Sequence, residues 1–130
     1  MRMGENILKD MIGERKADHI DVCLKEDVQS KKVTTGFEDV HLIHRALPGL
    51  EREKIDVSTT IFDYTFSAPI FVGAMTGGTT KAIKINAALA EAVEELGLGM
   101  SVGSQRIAVD NATVEHSFSV VREKAPTAFV

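Results

Sequence analysis

The sequence predicts an α/β fold in which parallel strands alternate with helices, and two observations lead to it. An apolar run at residues 70–75 and a second at residues 98–103 enclose a helical pattern, and Ile70 and Met100 lie 30 positions apart, the length of a βαβ unit. A second helical pattern and a third apolar segment, residues 128–130, then repeat the order. Short connections between such elements require a parallel sheet, either doubly wound or closed into a (β/α)8 barrel.

The first part of the chain, residues 1–54, predicts an N-terminal helix followed by a loop segment. Residues 4–25 have a helical pattern, with Ile7, Met11, His19 and Val22 among the positions available to its inner face. Residues 27–37 contain serine, threonine and glycine in the pattern of a loop.

The second part, residues 55–130, begins with a predicted β-hairpin. Two β-rich stretches, residues 55–62 and 64–67, alternate apolar and polar side chains around a short break at Asp63. The first strands and helices of the parallel sheet follow, in the order βαβαβ.

Residues 70–75 are continuously apolar and are followed by glycines, which predicts a strand buried on both faces. Thr79 or Thr80 can cap the next helix, and Gly97 lies just past its last apolar position, where a left-handed cap is needed. The apolar positions of this helix fall on one face: Ala82, Ile85, Leu89, Ala92, Val93 and Leu96.

A second helix is predicted after the second strand. Asn111 can cap it, and Val114, Phe118 and Val121 form its apolar stripe. Pro126 is expected to end it, because proline cannot continue a helix.

The last residues, 126–130, predict the opening of a buried strand with no turn after it. A finished domain rarely ends on such a strand, because its backbone would lack hydrogen-bond partners. A (β/α)8 barrel needs roughly 200 residues or more, whereas this chain has 130. If the sheet is a barrel, we expect the chain to hold only its N-terminal portion.

Composition excludes several classes of protein. The content of 44% hydrophobic and 26% charged residues argues against disorder, and the net charge of −4 argues against a nucleic-acid groove or a polybasic membrane patch. No apolar run is long enough to span a bilayer, and the single cysteine excludes an internal disulfide. Charged residues also interrupt the N-terminus, where a secretory signal needs an apolar run. We therefore expect a cytoplasmic protein with no nucleic-acid or membrane partner.

Candidate ligand-binding loops follow the first two strands of the sheet, because parallel α/β folds bind ligands where strands end. Residues 75–78 and 103–106 each combine glycine with a hydroxyl side chain, which would let a flat or phosphorylated ligand approach backbone donors. Gln105 and Arg106 add an amide and a guanidinium, and the latter pairs well with phosphate. An alternative is that Gly77-Gly78 only turns a strand into a helix. No GxGxxG or P-loop pattern supports a nucleotide site of those kinds.

A basic pair near the N-terminus is a second candidate. Arg15 and His19 lie four positions apart and share a helix face, and Lys16 follows Arg15 directly. Cations directed at a cleft would suit a diphosphate, whose charge must be neutralised before burial. The alternative is a solvated basic pair beside a packed histidine.

Five short motifs occur along the chain in an order that is specific, although each motif alone is weak. They are Arg15-Lys16-x-x-His19-Ile20, His44-Arg45-Ala46-Leu47-Pro48, Ser67-Ala68-Pro69-Ile70, Ala74-Met75-Thr76-Gly77-Gly78 and Val102-Gly103-Ser104-Gln105-Arg106. Together they resemble the N-terminal part of the type 2 isopentenyl-diphosphate isomerases, a flavin-dependent family, over essentially the whole chain.

The resemblance implies a TIM (β/α)8 barrel, incomplete in this chain and preceded by the N-terminal helix and the β-hairpin. It also implies the family's reaction, the interconversion of isopentenyl and dimethylallyl diphosphate in isoprenoid biosynthesis. That reaction uses reduced FMN, with NADPH or another reductant to produce it, and Mg²⁺. For the full-length protein, a homo-oligomer, tetramer or octamer, is expected.

The resemblance also implies roles for individual residues. FMN binding would involve Ala74, Met75, Thr76 and Ser104. Substrate binding would involve Arg15, Lys16, Ser104, Gln105 and Arg106. No catalytic acid or base and no metal ligand is assigned in this chain, because those of the family lie beyond the matched segments. We therefore expect the 130-residue chain alone to be inactive.

Two alternatives remain open. The chain could belong to another FMN-dependent barrel, such as a hydroxy-acid oxidase or a dihydroorotate-type dehydrogenase, which shares the flavin loop but gives no reason for Arg15-Lys16. It could also be an inactive fragment that acts as a binding module.

Overall fold

A computed structural model describes residues 14–16 and 18–130. Residues 14–16 and 18–25 are helical and are called α1. The earlier part of the predicted helix, with Ile7 and Met11, lies outside the described residues. No described helix combines the length and apolar character needed to cross a membrane.

The predicted inner face of α1 is wrong where it can be checked. His19 and Val22 are exposed, whereas Lys16 and Asp21 are partly buried. The reason is that α1 contacts the rest of the chain through polar side chains. One of these contacts is the ion pair between Asp21 Oδ1 and Lys81 Nζ, at 2.7 Å.

The hairpin that follows is shorter than predicted. Strand β1 (Thr59–Ile61) pairs antiparallel with β2 (Tyr64–Phe66). Residues 55–58 are not part of β1, because Asp56 Oδ1 accepts a hydrogen bond from the backbone N–H of Ser58 at 2.8 Å. Such local bonds offer the backbone an alternative to a strand ladder.

The hairpin turn consists of two left-handed residues. Phe62 has φ 51° and Asp63 has φ 60°, as a two-residue type I′ turn requires. Neither is glycine or asparagine, the residues that adopt this conformation most easily. The turn therefore carries some backbone strain.

The predicted parallel unit is present. Strand β3 (Phe71–Val72), helix α2 (Thr80–Leu96) and strand β4 (Gly99–Met100) form a βαβ unit with parallel strands. Gly99 also makes a parallel bridge to Phe129, so it has a neighbouring backbone on each side. The third apolar segment thus joins the sheet beside β4.

The prediction that residues 70–75 form one strand buried on both faces is wrong. Only Phe71–Val72 is a strand, and Ile70, Phe71 and Met75 are exposed. Among the described residues β3 pairs with β4 alone, so part of its surface has no neighbour.

Both predicted caps of α2 are confirmed. Thr79 Oγ1 accepts a hydrogen bond from Ala82 N at 3.1 Å, and Gly97 ends the helix with φ 63°. Ala92 and Leu96 are exposed, contrary to the predicted apolar face. The buried stripe is instead Ala82, Asn86, Ala90 and Val93. Because the polar residue Asn86 lies in the middle of this stripe, hydrophobic spacing alone indicates a different face of the helix.

The region after β4 contains a short helix that the sequence analysis missed. Helix α3 (Arg106–Asp110) begins directly after Gln105, so Arg106 belongs to a helix rather than to a loop. Asn111 then caps a 3-10 turn, Ala112–Val114, by accepting from Thr113 N at 3.1 Å. The prediction that it caps the second long helix is therefore wrong, because that helix begins only after Glu115.

Helix α4 (His116–Lys124) packs against α2. Phe118 and Val121 are buried as predicted, and the helix ends before Pro126. Val114, the third residue of the predicted stripe, lies in the 3-10 turn and is half-buried. The core between α2, α4 and the parallel strands comprises Ala90, Val93, Met100, Val120, Val121, Ala125 and Ala128.

Aromatic contacts join the hairpin to the parallel strands. The rings of Tyr64, Phe66 and Phe71 lie 5.6–6.1 Å, centroid to centroid, from the ring of Phe129. Tyr64 also donates its hydroxyl hydrogen to the carbonyl oxygen of Thr127 at 2.6 Å.

Two charged side chains hold the connection from α4 to the third parallel segment. Nη1 of Arg122 lies within 3.2 Å of the carbonyl oxygens of Ala125, Pro126 and Ala128. The carboxylate of Glu94 accepts from the backbone N–H groups of Thr127 and Ala128, at 3.1 and 2.8 Å. Arg122 thus supplies a donor to the carbonyl groups of this irregular segment, and Glu94 supplies an acceptor to its N–H groups.

Candidate functional site

The loops that follow β3 and β4 touch each other. A Cβ atom added to Gly103 would lie 2.8 Å from the carbonyl oxygen of Thr76, so there is no room for a side chain between the two backbones. Ser104, the next residue, is exposed, and Thr76 is half-buried. The structure therefore brings Thr76 and Ser104, both predicted FMN ligands, into adjacent loops.

The other predicted FMN and substrate residues of these loops are at the surface. Met75 is 76% exposed, and Ala74 is exposed as well. Gln105 and Arg106 are exposed at the start of α3. The two loops after β3 and β4 form one edge of the sheet, called the ligand edge below. An apolar side chain, hydroxyls, an amide and a guanidinium are thus available to a ligand there.

The two glycines of the first loop are required by packing within the protein. A Cβ atom on Gly77 would overlap the ring of Phe118. Gly78 has φ 81°, and its Cβ would lie 2.8 Å from Ile107 Cγ2. The expectation that these glycines open the backbone to a ligand is therefore not supported. The alternative, a tight turn into α2, accounts for them.

A buried polar network holds the same loop, and the sequence analysis did not find it. Asn86 Nδ2 donates to the carbonyl oxygens of Ser117 and Thr76, at 2.7 and 3.3 Å. Ser117 Oγ accepts from the backbone N–H of Gly78 at 2.7 Å and donates to the carbonyl oxygen of Val114 at 2.6 Å. The available signal was an asparagine in the middle of an otherwise apolar helix face.

The two residues of the basic pair have different environments. Lys16 Nζ donates to the carbonyl oxygen of Ser104 at 3.1 Å and lies 5.4 Å from the ring centroid of Phe118. Partial burial, and secondarily the positive charge of Arg15, lower the pKa of Lys16. Arg15 itself is exposed. The alternative of a fully solvated pair therefore does not hold for Lys16.

His19 does not join this site. It lies on the same helix as Arg15 but is exposed, so the packed histidine of the alternative interpretation is not observed either. Two other cations lie near the two loops. Lys16 contacts the backbone of Ser104, and Arg106 lies two positions after Ser104 in the chain. Positive charge beside exposed hydroxyl groups is chemically suited to an anionic ligand such as a phosphate ester.

Comparison with known proteins relates this chain to a family of FMN-dependent enzymes. The family described as FMN-dependent dehydrogenase matches residues 9–122. The isopentenyl-diphosphate delta-isomerase of Methanosarcina barkeri is 52% identical over 117 residues, which cover 90% of this chain and 32% of that protein. The proteins of the same name from Methanococcoides burtonii and Archaeoglobus fulgidus are 50% and 51% identical, again over 90% of this chain and over 32% and 33% of their own length.

This chain spans about a third of the length of these relatives. The family match covers α1, the hairpin, both ligand-edge loops and most of α4. The chain belongs to the FMN-dependent dehydrogenase family.

Proposed function

We propose that this chain is the N-terminal part of an FMN-dependent isomerase that interconverts isopentenyl and dimethylallyl diphosphate through a 1,3-allylic rearrangement in isoprenoid biosynthesis. The observation that carries the proposal is the 50–52% identity to three proteins named isopentenyl-diphosphate delta-isomerase. The family match supports FMN as the cofactor.

The residues at the ligand edge fit a flavin. Met75 and Ala74 offer exposed apolar surface to a flat ring, and Thr76 and Ser104 offer hydroxyl groups from two loops in contact. Reduced FMN would supply an electron-rich ring beside the allylic carbons of the substrate. In the proposal Thr76 and Ser104 orient that ring, and the apolar side chains exclude water from it.

The diphosphate would bind to the cations at the same edge. Arg15 and Lys16 lie on α1, which reaches the loop after β4 through the contact between Lys16 and Ser104. Gln105 and Arg106 are exposed next to Ser104 and can add an amide and a guanidinium. Partial burial lowers the pKa of Lys16. A bound diphosphate would raise this pKa again, because a nearby negative charge favours the charged form of the lysine.

Mg²⁺ and NADPH are proposed for the whole protein only. Within the described part of the chain no three His, Cys, Asp or Glu side chains form a cluster. We therefore assign no residue of this chain and no step to the metal.

The architecture is proposed on the same basis. We infer that β3, β4 and the segment at Phe129 are the first three strands of a TIM barrel, which their parallel order and helical connection support. The division into residues 1–54 and 55–130 is part of the proposal: no described residue of the first part is buried, and the buried residues of the second part begin at Phe66. A cytoplasmic homo-oligomer, tetramer or octamer, completes the proposal.

A second candidate is an FMN-dependent oxidoreductase of the hydroxy-acid oxidase or dihydroorotate dehydrogenase type. The description of the matched family, a dehydrogenase, favours it. It gives no role to a cation pair on α1. Net oxidation of a 2-hydroxy acid or of dihydroorotate by the full-length protein, without isomerase activity, would establish it instead.

The isomerase proposal is tested by kinetics of the full-length protein. Arg15→Ala should remove charge-assisted hydrogen bonds worth roughly 1.5–3 kcal/mol each, and so raise KM about tenfold or more. FMN affinity and thermal stability should hardly change, because the contact is to substrate. Thr76→Val should do the opposite, weakening FMN retention while KM of the remaining holoenzyme stays near normal.

Arg52→Ala is the matched control, since Arg52 is also an exposed arginine of residues 1–54. It should leave KM unchanged. A KM for Arg15→Ala within about twofold of the unmodified enzyme would show that the diphosphate assignment is wrong, while leaving the flavin assignment intact.

A further inference from the structure

Asn86 is a polar residue on the most buried stripe of α2. It is 3% exposed and lies one helical turn from each of two fully buried alanines, Ala82 and Ala90. Burying an amide is unfavourable unless its polar atoms find partners. In the described part of the chain no buried side-chain nitrogen or oxygen lacks a partner, and the amide nitrogen of Asn86 has two.

The partners of the network belong to the loop proposed to bind FMN. Asn86 holds the carbonyl oxygen of Thr76, and Ser117, 1% exposed, holds the N–H of Gly78. The two side chains come from different helices, α2 and α4, and are joined by the bond from Asn86 to the carbonyl oxygen of Ser117. Side chains of α2 and α4 thus hold both ends of the Thr76–Gly78 segment by hydrogen bonds.

Fixing that carbonyl also orients the next backbone group. The peptide bonds of the described residues are all trans, and in a trans peptide the C=O and N–H groups point in opposite directions. With the carbonyl of Thr76 turned towards Asn86, the N–H of Gly77 points away from it.

We propose that Asn86 and Ser117 are positioning residues for the flavin. They set the backbone of residues 76–78 so that Thr76 meets the ring, and they tie that loop to α4. The inference rests on the proposed FMN site at Thr76. An apolar side chain at position 86 would fill the helix interface without orienting the loop.

The test uses the full-length protein loaded with FMN. Asn86→Leu, nearly isosteric but without a donor, and Ser117→Ala should each raise the FMN Kd at least fivefold and change the visible circular dichroism of the bound flavin. Ser117→Thr keeps the hydroxyl group and should stay within twofold of the unmodified protein. The double variant should be little worse than the worse single variant, because the two residues act as one unit.

Val93→Ala is the control for general loss of stability. Val93 lies on the same buried stripe but belongs to the apolar core cluster. This variant should lower the melting temperature while the FMN Kd stays within twofold. If Val93→Ala weakens FMN as much as Asn86→Leu at equal loss of stability, the positioning role is refuted. An unchanged Kd and flavin spectrum for Asn86→Leu would refute it as well.

Thr76→Val separates this inference from the proposed function. If Thr76→Val weakens FMN but Asn86→Leu and Ser117→Ala do not, only the positioning role is lost. If Thr76→Val leaves FMN binding unchanged, the flavin assignment of Thr76 is wrong and the positioning role falls with it, whereas the isomerase proposal still rests on the kinetics. If Asn86→Leu does not fold, the pair Ser117→Ala and Ser117→Thr decides.

Discussion

Residues 26–58 and residues 70–130 use similar apolar side chains with opposite outcomes. In the first region Leu42 and Leu47 are 92% and 95% exposed, whereas in the second Val93 and Val121 are 1% exposed. The difference is in the partners. The hydrogen bonds described within residues 26–58 join groups no more than four positions apart. Hydrophobicity alone therefore does not bury a residue.

The second region buries its side chains because its elements return to one another. The βαβ unit places β4 beside β3 after a 17-residue helix, and α4 then packs against α2. Each element supplies a surface for the next within about 30 residues. Residues 26–58 contain only two 3-10 turns, Phe37–Asp39 and Arg52–Lys54, which are too short to offer a face.

The largest expected effect comes from truncating one apolar side chain in each region. Met100→Ala removes a fully buried side chain and should lower the free energy of unfolding by about 2–5 kcal/mol through a cavity. Leu42→Ala removes an exposed one and should change it by no more than about 0.5 kcal/mol. Urea denaturation of the two variants measures both values. Equal losses would mean that residues 26–58 are packed in solution.

A smaller effect is expected from a single added methyl group. Gly77→Ala should cost about 1–3 kcal/mol, because the new Cβ displaces the ring of Phe118. Gly73→Ala, where no atom lies within 4 Å of the added Cβ, should be nearly neutral. Thermal unfolding of both variants compares a packed and an open position four residues apart. If Gly77→Ala is also neutral, α4 can move away from the loop at little cost.

The smallest effect concerns two carboxylates, one in each region. The hydroxyl of Thr127, 33 positions away, and nearby backbone N–H groups lower the pKa of Glu94 from its ordinary value of 4.5. The backbone N–H and side chain of Ser58, only two positions away, lower the pKa of Asp56 from 3.8. The bonds of Glu94 exist only in the folded chain, whereas the local turn at Asp56 can persist after unfolding.

A lowered folded-state pKa contributes stability above the unfolded value, and that contribution is lost as the pH falls through the folded value. Glu94→Gln should therefore be less stable than the unmodified protein above pH 4.5, and the difference should shrink below it. Asp56→Asn should change the pH profile less. Denaturation midpoints from pH 7 to pH 3 provide the comparison. A larger change for Asp56→Asn would reverse the distinction between long-range and local bonds.

The sequence predicted the features that depend on neighbouring residues. The caps at Thr79 and Gly97 were predictable because capping is decided within one helical turn. The parallel βαβ unit was predictable because its spacing is set by one helix and two turns. The two ligand-edge loops followed from this order. Their predicted binding roles for Ala74, Met75, Thr76 and Ser104 remain predictions.

What the sequence did not predict depends on residues distant in the chain. The stripe of α2 turns on Asn86, whose burial is tolerated only because Ser117 and Thr76 supply acceptors from other elements. The need for glycine at position 77 arises from Phe118, 41 positions later. Residues 55–58 were expected to form the beginning of a strand, yet a local hydrogen bond to Asp56 keeps them out of it. Periodicity cannot show such partners.

The connection between α4 and the third parallel segment has a consequence for the evolution of loops. Connections usually tolerate insertion because few other groups depend on their backbone. Here Arg122 spans the carbonyl groups of residues 125–128, and Glu94, on another helix, receives the N–H groups of Thr127 and Ala128. One inserted residue would put these donors and acceptors out of register and unpair both charges. This linker is as length-constrained as a strand, so we expect variation in chain length to accumulate in residues 26–58 instead.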